Sequence, residues 1–230
     1  MTDTTGLSRP DGRYGATRDR VAAYFDGTAT AVWARLTSDA PVSRIRATVR
    51  EGRDRMRGLM LGRLPDDLRG ARVLDAGCGT GMASAELAAR GADVLAIDLS
   101  PKLIEVAAAR LPAGLPGRVT FAAGDMLDPA LGRFDAVIAM DSLLYYDRPD
   151  LVAALEGLAA RAPQVVFTVA PRTALLLAMW GMGKLFPRAD RSPAMVPQDA
   201  ARLAAEVPGL SRIGRVTSGF YIAECLEVRR

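Results

Sequence analysis

Histidine is absent from this 230-residue chain. No imidazole is therefore available as a general base, a triad member or a zinc ligand. Cysteine is nearly absent as well. Cys78 and Cys225 are the two present, too far apart for a CxxC pair or a four-thiolate cluster. A disulfide framework is not expected, which fits a reducing cytosol. Lysine is confined to Lys102 and Lys184, and aromatic residues make up 6% of the chain. With no continuous basic run beside them, so few aromatics argue against a nucleic-acid partner. The longest apolar stretch, residues 174–182, is too short to cross a bilayer, and the polar N-terminus lacks the apolar core of a secretory signal. A cytoplasmic location is the expectation.

Half of the residues are apolar, enough for the core of one domain of ordinary to large size. The charge is unevenly placed. Residues 1–70 hold 13 arginines and 9 acids, whereas residues 71–230 hold 17 basic and 17 acidic side chains, so the net +4 belongs to the first third. Codon usage in a GC-rich genome accounts for the preference for arginine over lysine. It does not account for the asymmetry.

Threonine, aspartate, glycine, serine and proline dominate the first dozen residues, and residues 1–16 are expected to form a disordered tail. Residues 17–68 read as a helical arm. Short helices are expected at 18–25 and 30–36, then a longer one opened by Ser38-Asp39-Ala40-Pro41 and running to about residue 64. On it Val42, Ile45, Val49, Met56, Leu59 and Met60 share one face, bordered by a stripe of Arg46, Arg50, Arg53 and Arg57. From residue 69 strands alternate with helices. Strands are expected at 72–75, 93–98, 119–123, 134–140 and 164–169, with helices at 82–90, 101–111 and 150–160. Buried apolar strands alternating with amphipathic helices specify an α/β fold, a parallel sheet covered on both faces. An irregular cap insertion at about 171–197, containing an apolar helix at 173–186, precedes a helix at 198–206 and a terminal hairpin, 211–218 with 221–228.

The sharpest local signal is Asp75-Ala76-Gly77-Cys78-Gly79-Thr80-Gly81 between the first strand and its helix. Such a turn lets backbone approach a ligand closely, and the helix N-terminus favours an anionic group. Its D-x-G-x-G-x-G spacing differs from the G-x-G-x-x-G dinucleotide fingerprint. Asp98, closing the second strand, can accept from a ribose diol. Asp125, after the third, can accept from an adenine amino group, with Leu99 and Met126 offering apolar faces. Cys78 reads as a small filler, because no base stands near to activate it.

The succession DAGCGTG, AIDLS, AAGDM and FDAVIAMD resembles the class I S-adenosylmethionine-dependent methyltransferases in order and spacing. That resemblance implies a Rossmann-like, seven-stranded, mostly parallel sheet with an antiparallel last strand. It places the methionine moiety at Asp75, Gly77, Cys78, Gly79 and Gly81, the ribose at Asp98, and the adenine at Asp125 with Leu99, Met126 and Met140 alongside.

The arm narrows the likeness. Tyr24-Phe25-Asp26-Gly27-Thr28, the run Ile45-Arg46 to Val49-Arg50-Glu51-Gly52-Arg53, and Thr217-Ser218-Gly219-Phe220-Tyr221-Ile222 resemble the magnesium-protoporphyrin IX O-methyltransferases. Such enzymes esterify one porphyrin propionate. The resemblance implies magnesium-protoporphyrin IX as substrate, S-adenosylmethionine as methyl donor, and no protein-bound metal. It also brings the porphyrin-binding subunit of magnesium chelatase as a partner, while the apolar helix at 173–186, with Met179, Trp180, Met182 and Phe186, offers a cover for the porphyrin or peripheral contact with a membrane. Tyr24 as part of a lid and Tyr145 beside the methyl group are the catalytic candidates; Arg50, Arg53, Asp141 and Trp180 are the substrate-binding ones. Relatives from oxygenic phototrophs often carry histidine where Tyr145 aligns, so an imidazole role has no counterpart here.

The missing histidine fits this acceptor. A propionic acid ionises near pH 4.3, about as Glu does, and needs no base at neutral pH. Two other readings stay open on sequence: a methyltransferase for quinone- or polyketide-type acceptors, and a non-catalytic S-adenosylmethionine-binding assembly subunit. Each stripe arginine is equally readable as a carboxylate fork or a solvated helix flank.

Overall fold

In the computed structural model, which describes residues 12–27, 29–37, 43–173, 176 and 193–230, three helices precede the sheet: α1 Gly12–Asp26, α2 Ala29–Leu36 and α3 Arg44–Leu61. Then follow β1 Arg72–Ala76, α4 Met82–Ala89, β2 Asp93–Asp98, α5 Pro101–Arg110, β3 Arg118–Ala123, β4 Ala136–Ala139, α6 Arg148–Ala159 and β5 Gln164–Val169. The chain closes with α7 Ala200–Glu206, β6 Leu210–Ser218 and β7 Tyr221–Arg229. The strands form a seven-stranded sheet in the order β3-β2-β1-β4-β5-β7-β6, with β7 antiparallel to both neighbours. This is the arrangement expected for a class I methyltransferase, and each expected strand of the sheet lies within a few residues of its predicted bounds.

Alternation along the central strands divides the core between the two faces of the sheet. Leu74, Val137, Val165 and Phe167 point to the face covered by α6 and α7, whereas Val73, Ile138 and Val166 point to that covered by α3 and α4. Each of these side chains is fully buried, worth about 1.5–3 kcal/mol of transfer free energy apiece. No helix among the described residues is long and apolar enough to cross a membrane.

Two expectations change. The N-terminal tail was expected to reach residue 16, but α1 begins at Gly12 and Tyr14 is buried in the core. Tyr14, Val21 and Phe25 line one cavity with the sheet, and Arg18 between them reaches Asp125, so spacings of four, three and four put one helical face toward the sheet. The long arm helix starts later than expected. Ser43 caps it, its hydroxyl accepting from the Arg46 amide at 3.4 Å, and it ends at Leu61 before Gly62. The Ser38-to-Pro41 signal lies outside the described residues, as does nearly all of the apolar helix expected at 173–186, Trp180 included.

Met56 and Met60 dock α3 against the sheet, while Ile45, expected on the same face, is exposed at its first turn. Gly52 sets how closely α3 meets the β6–β7 hairpin. A Cβ there would lie 2.7 Å from Cδ1 and 3.0 Å from Cβ of Tyr221. In an open helix, replacing glycine by alanine stabilises by about 0.5–1 kcal/mol. Here Gly52→Ala is expected to reverse that sign and lower stability, as measured by urea unfolding, because α3 must move off the hairpin.

Candidate active site

The C-terminal ends of β1 to β4 meet beneath α1, α2 and α3 at a cavity of about 140 Å³. Open α/β sheets bind ligands at this edge, where the strand order reverses. The β1–α4 turn forms part of its wall. Gly77 and Gly79 adopt φ of +80° and +54°, and a Cβ on Gly77 would stand 2.3 Å from that of Ser142. Backbone alone fits there. A Cβ on Gly79 would meet only Trp33 Nε1, at 4.0 Å, so that side of the turn is open for a ligand. Gly81, grouped with these two on sequence, does not line the cavity. It caps α4 at φ +78° and lets that end approach Ala107 and the Phe121 ring, a packing role.

Asp75 lies at the bottom, fully buried, accepting from the Ser84 hydroxyl at 2.5 Å. Burial outweighs that hydrogen bond and raises its pKa to about 6. Asp98 accepts from the Gly79 and Ser100 amides, both at 2.9 Å, and burial raises its pKa also. Asp125, Leu99, Met126 and Met140 line the same cavity, so the residues assigned to ribose and adenine are brought together. Cys78 lines it too, with its thiol pKa pushed well up by burial.

A second cavity, of about 180 Å³, adjoins the first and is mostly apolar, with Leu144, Leu176, Ile222 and Phe220 in its wall. Four side chains line both: Trp33, Arg53, Asp141 and Tyr145. Arg53 Nη1 is paired with Asp141, and its guanidinium carbon lies 4.7 Å from the centre of the Trp33 ring. Asp141 is held from further sides. Its amide donates to Thr168 Oγ1 at 2.7 Å, and its carboxylate accepts from Thr168 Oγ1 at 3.0 Å and from the Tyr221 hydroxyl at 3.2 Å. Among the described residues it is the one non-glycine with positive φ, +54°. Strain of that kind persists where surrounding bonds over-determine the conformation, as they do here.

Arg53 is therefore the arginine of the stripe that reaches the second cavity. Arg50, expected beside it on substrate, lines the first cavity only, and its Nη2 donates to the Arg35 carbonyl at 3.1 Å, tying α3 to α2. Arg57 is engaged by Glu86 and Asp54. Tyr24, expected over the cofactor, lines neither cavity; its ring meets Phe25 edge-on at 5.1 Å, and Phe25 forms the wall. Tyr145 does stand between the cavities, its hydroxyl pKa pushed up by burial and by the Asp141 charge. It is a hydrogen-bond donor at neutral pH. Tyr14, Arg18, Tyr146 and Thr168 escaped the sequence reading as site residues. For Tyr14 the missed signal was the helical spacing that carries α1 back before residue 17.

The C-terminal part, residues 139–230, matches the profile "Magnesium-protoporphyrin IX methyltransferase C-terminus", and residues 73–162 match a general methyltransferase-domain profile. A magnesium-protoporphyrin O-methyltransferase from Rhodobacter capsulatus is 58% identical over 94% of this chain and 98% of its own length. The chain belongs to the magnesium-protoporphyrin O-methyltransferases. Two further members are more distant. The chloroplastic magnesium protoporphyrin IX methyltransferase of Arabidopsis thaliana is 30% identical over 93% of this chain and 71% of its own length. The crystal structure of the Synechocystis enzyme with bound S-adenosylhomocysteine superimposes with a TM-score of 0.78 at 27% identity, covering 93% of this chain and 99% of that one. A ubiquinone biosynthesis O-methyltransferase from Xanthomonas oryzae is 43% identical over only 37% of each chain.

The raised pKa of Asp75 has a definite pH signature. The folded state holds its proton up to about pH 6, whereas the unfolded chain releases it near 3.8. The burial penalty is thus absent below pH 4, grows between 4 and 6, and is complete above 6, on the order of 2–3 kcal/mol. Asp75→Asn is expected to gain stability relative to the parent as pH rises through that window, measured by urea unfolding at pH 4 and 7. An equal difference at both pH values would contradict the assignment.

Proposed function

We propose that this chain transfers a methyl group from S-adenosylmethionine to a propionate carboxylate of magnesium-protoporphyrin IX, forming the monomethyl ester of (bacterio)chlorophyll biosynthesis. The observation that carries the reading is the wall shared by the two cavities. An apolar chamber suits the body of a tetrapyrrole, and its one guanidinium among the described residues, Arg53, stands where the chamber meets the glycine-turn cavity. An acid with a large apolar body is the ligand class that satisfies both.

The glycine-turn cavity fits an S-adenosyl group: backbone without room for side chains at Gly77, a buried carboxylate at Asp98, and apolar Leu99 and Met126 with Asp125 for adenine. When bound, S-adenosylmethionine supplies a methyl group on a positively charged sulfur. The acceptor oxygen forms the new C–O bond as the S–C bond breaks, its electron pair remaining on sulfur, and no proton is transferred. The chain's work is to orient. Arg53 holds the acceptor as its carboxylate, Asp141 fixes the guanidinium, and Tyr145 donates beside the junction or packs on the macrocycle. No group here is needed as a base, which fits a chain without histidine.

A phenolic acceptor fits less well. It must lose a proton, whereas the phenols of Tyr145 and Tyr221 and the thiol of Cys78 all have raised pKa values and would hold theirs. A purely non-catalytic role leaves unexplained the strained Asp141 and its buried pairing with Arg53. Cytoplasmic location with peripheral membrane contact, and delivery of the porphyrin by the porphyrin-binding subunit of magnesium chelatase, belong to the same proposal. Their support is exposed apolar surface: Phe220, in the wall of the second cavity, is 64% exposed, and Ile45 on α3, 57% exposed, lies between exposed Arg44 and Arg46.

Incubation with methyl-labelled S-adenosylmethionine and magnesium-protoporphyrin IX is expected to give labelled monomethyl ester, identified by mass and chromatography. Absence of that ester at saturating substrate, with label appearing instead on a catechol or quinol acceptor, would overturn the reading.

A further inference from the structure

Tyr14 has a role in neither the sequence motifs nor the reaction described above, yet it is buried and lines the glycine-turn cavity. Its hydroxyl donates to Asp125 Oδ1 at 2.7 Å, and its ring stacks on Tyr146 with centroids 4.9 Å apart and planes 15° from parallel. The same Oδ1 accepts from the Leu127 amide at 2.9 Å. Burial and the Asp125 charge raise the Tyr14 pKa, so the phenol remains a donor throughout the working range. The other oxygen, Oδ2, is differently placed. It takes a longer contact, 3.3 Å, from Arg18 Nη1, while Nε and Nη2 of that half-exposed arginine bond Asp19.

We infer that Tyr14 is a cofactor-positioning residue. By saturating Oδ1 together with the Leu127 amide, it locks the Asp125 carboxylate and leaves Oδ2 as the acceptor turned to the purine. The inference rests on the reading that this cavity holds the S-adenosyl group. Its consequence is discrimination at purine C6. An exocyclic amino group donates to Oδ2; a carbonyl oxygen at the same place meets a second acceptor with no proton between them. Sites built on such a bond reject the mismatched analogue far more strongly than apolar contact would. Helix α1 thereby becomes part of the cofactor site, with the Tyr14 phenol fixing Asp125 and Val21 and Phe25 in the cavity wall.

The test is calorimetric binding of S-adenosylhomocysteine and its deaminated analogue, S-inosylhomocysteine, to the full chain. The parent protein is expected to prefer the adenosyl compound by at least about tenfold. Tyr14→Phe keeps the ring stack and removes only the hydroxyl. It is expected to weaken the adenosyl compound several-fold and the inosyl compound little, so the preference shrinks. A merely structural role would weaken both alike; an unchanged ratio therefore overturns the inference. Asp125→Asn reads the same geometry independently of how well Tyr14→Phe folds. With the Tyr14 hydroxyl and the Leu127 amide both donating, the amide oxygen must occupy the Oδ1 position and the NH2 must face the purine. The preference is then expected to invert toward the inosyl compound. Equal loss of both ligands in Asp125→Asn would contradict the proposal. If the parent protein bound neither compound, the cofactor reading itself would fall, an outcome distinct from failure at Tyr14.

Discussion

The pairing of Arg53 with Asp141 is the contact on which the site depends. An arginine beside an apolar chamber is costly unless a carboxylate and a fixed geometry hold it. Five separate parts of the chain supply that geometry. Helix α3 brings Arg53, and it sits close enough only because Gly52 leaves room for Tyr221. Two residues beyond strand β4, Asp141 takes a left-handed conformation. Strand β5 contributes Thr168 and strand β7 the Tyr221 hydroxyl, both bonded to the same carboxylate. The indole of Trp33 covers the guanidinium. The antiparallel last strand is thus part of the site as well as the edge of the sheet.

The second constraint is chemical. Of the groups that elsewhere act as bases, imidazole is missing here, and the phenols and thiol of the site hold their protons tightly. There is no histidine, the tyrosines at the junction are shifted upward by burial, and the Cys78 thiol likewise. A protein of this kind accelerates transfer to an acceptor that arrives ionised, and it does so by alignment and exclusion of water. A porphyrin propionate meets that requirement. The surplus arginine of the first third of the chain contributes by position more than by sum. Arg53 reaches the apolar chamber, Arg50 joins two helices, and Arg57 is held by carboxylates.

The sheet was legible because its strands are apolar and bounded by glycine turns and capping residues, as at Asp75–Gly81 and Ser100-Pro101. The acids at the strand ends were legible for the same reason: a strand's end fixes where the next side chain points. The arm was harder to read. Tyr14 sits among residues whose composition reads as a tail, and its burial comes from partners more than 100 residues away, Asp125 and Tyr146. Nothing local marks Asp141 as strained, since Thr168 and Tyr221 hold it from distant strands. The arginine stripe was visible as a period, but which member faces the chamber depends on how α3 lies against the hairpin.

Arg53 is the group that would receive a carboxylate from the apolar chamber. Binding of magnesium-protoporphyrin IX and of its dimethyl ester, followed by quenching of protein fluorescence, tests this directly in the parent protein and in Arg53→Met. The parent is expected to bind the diacid at least about tenfold more tightly than the diester, a difference that disappears in Arg53→Met. Equal binding of acid and ester by the parent, or a preference that survives the loss of the guanidinium, would contradict the account.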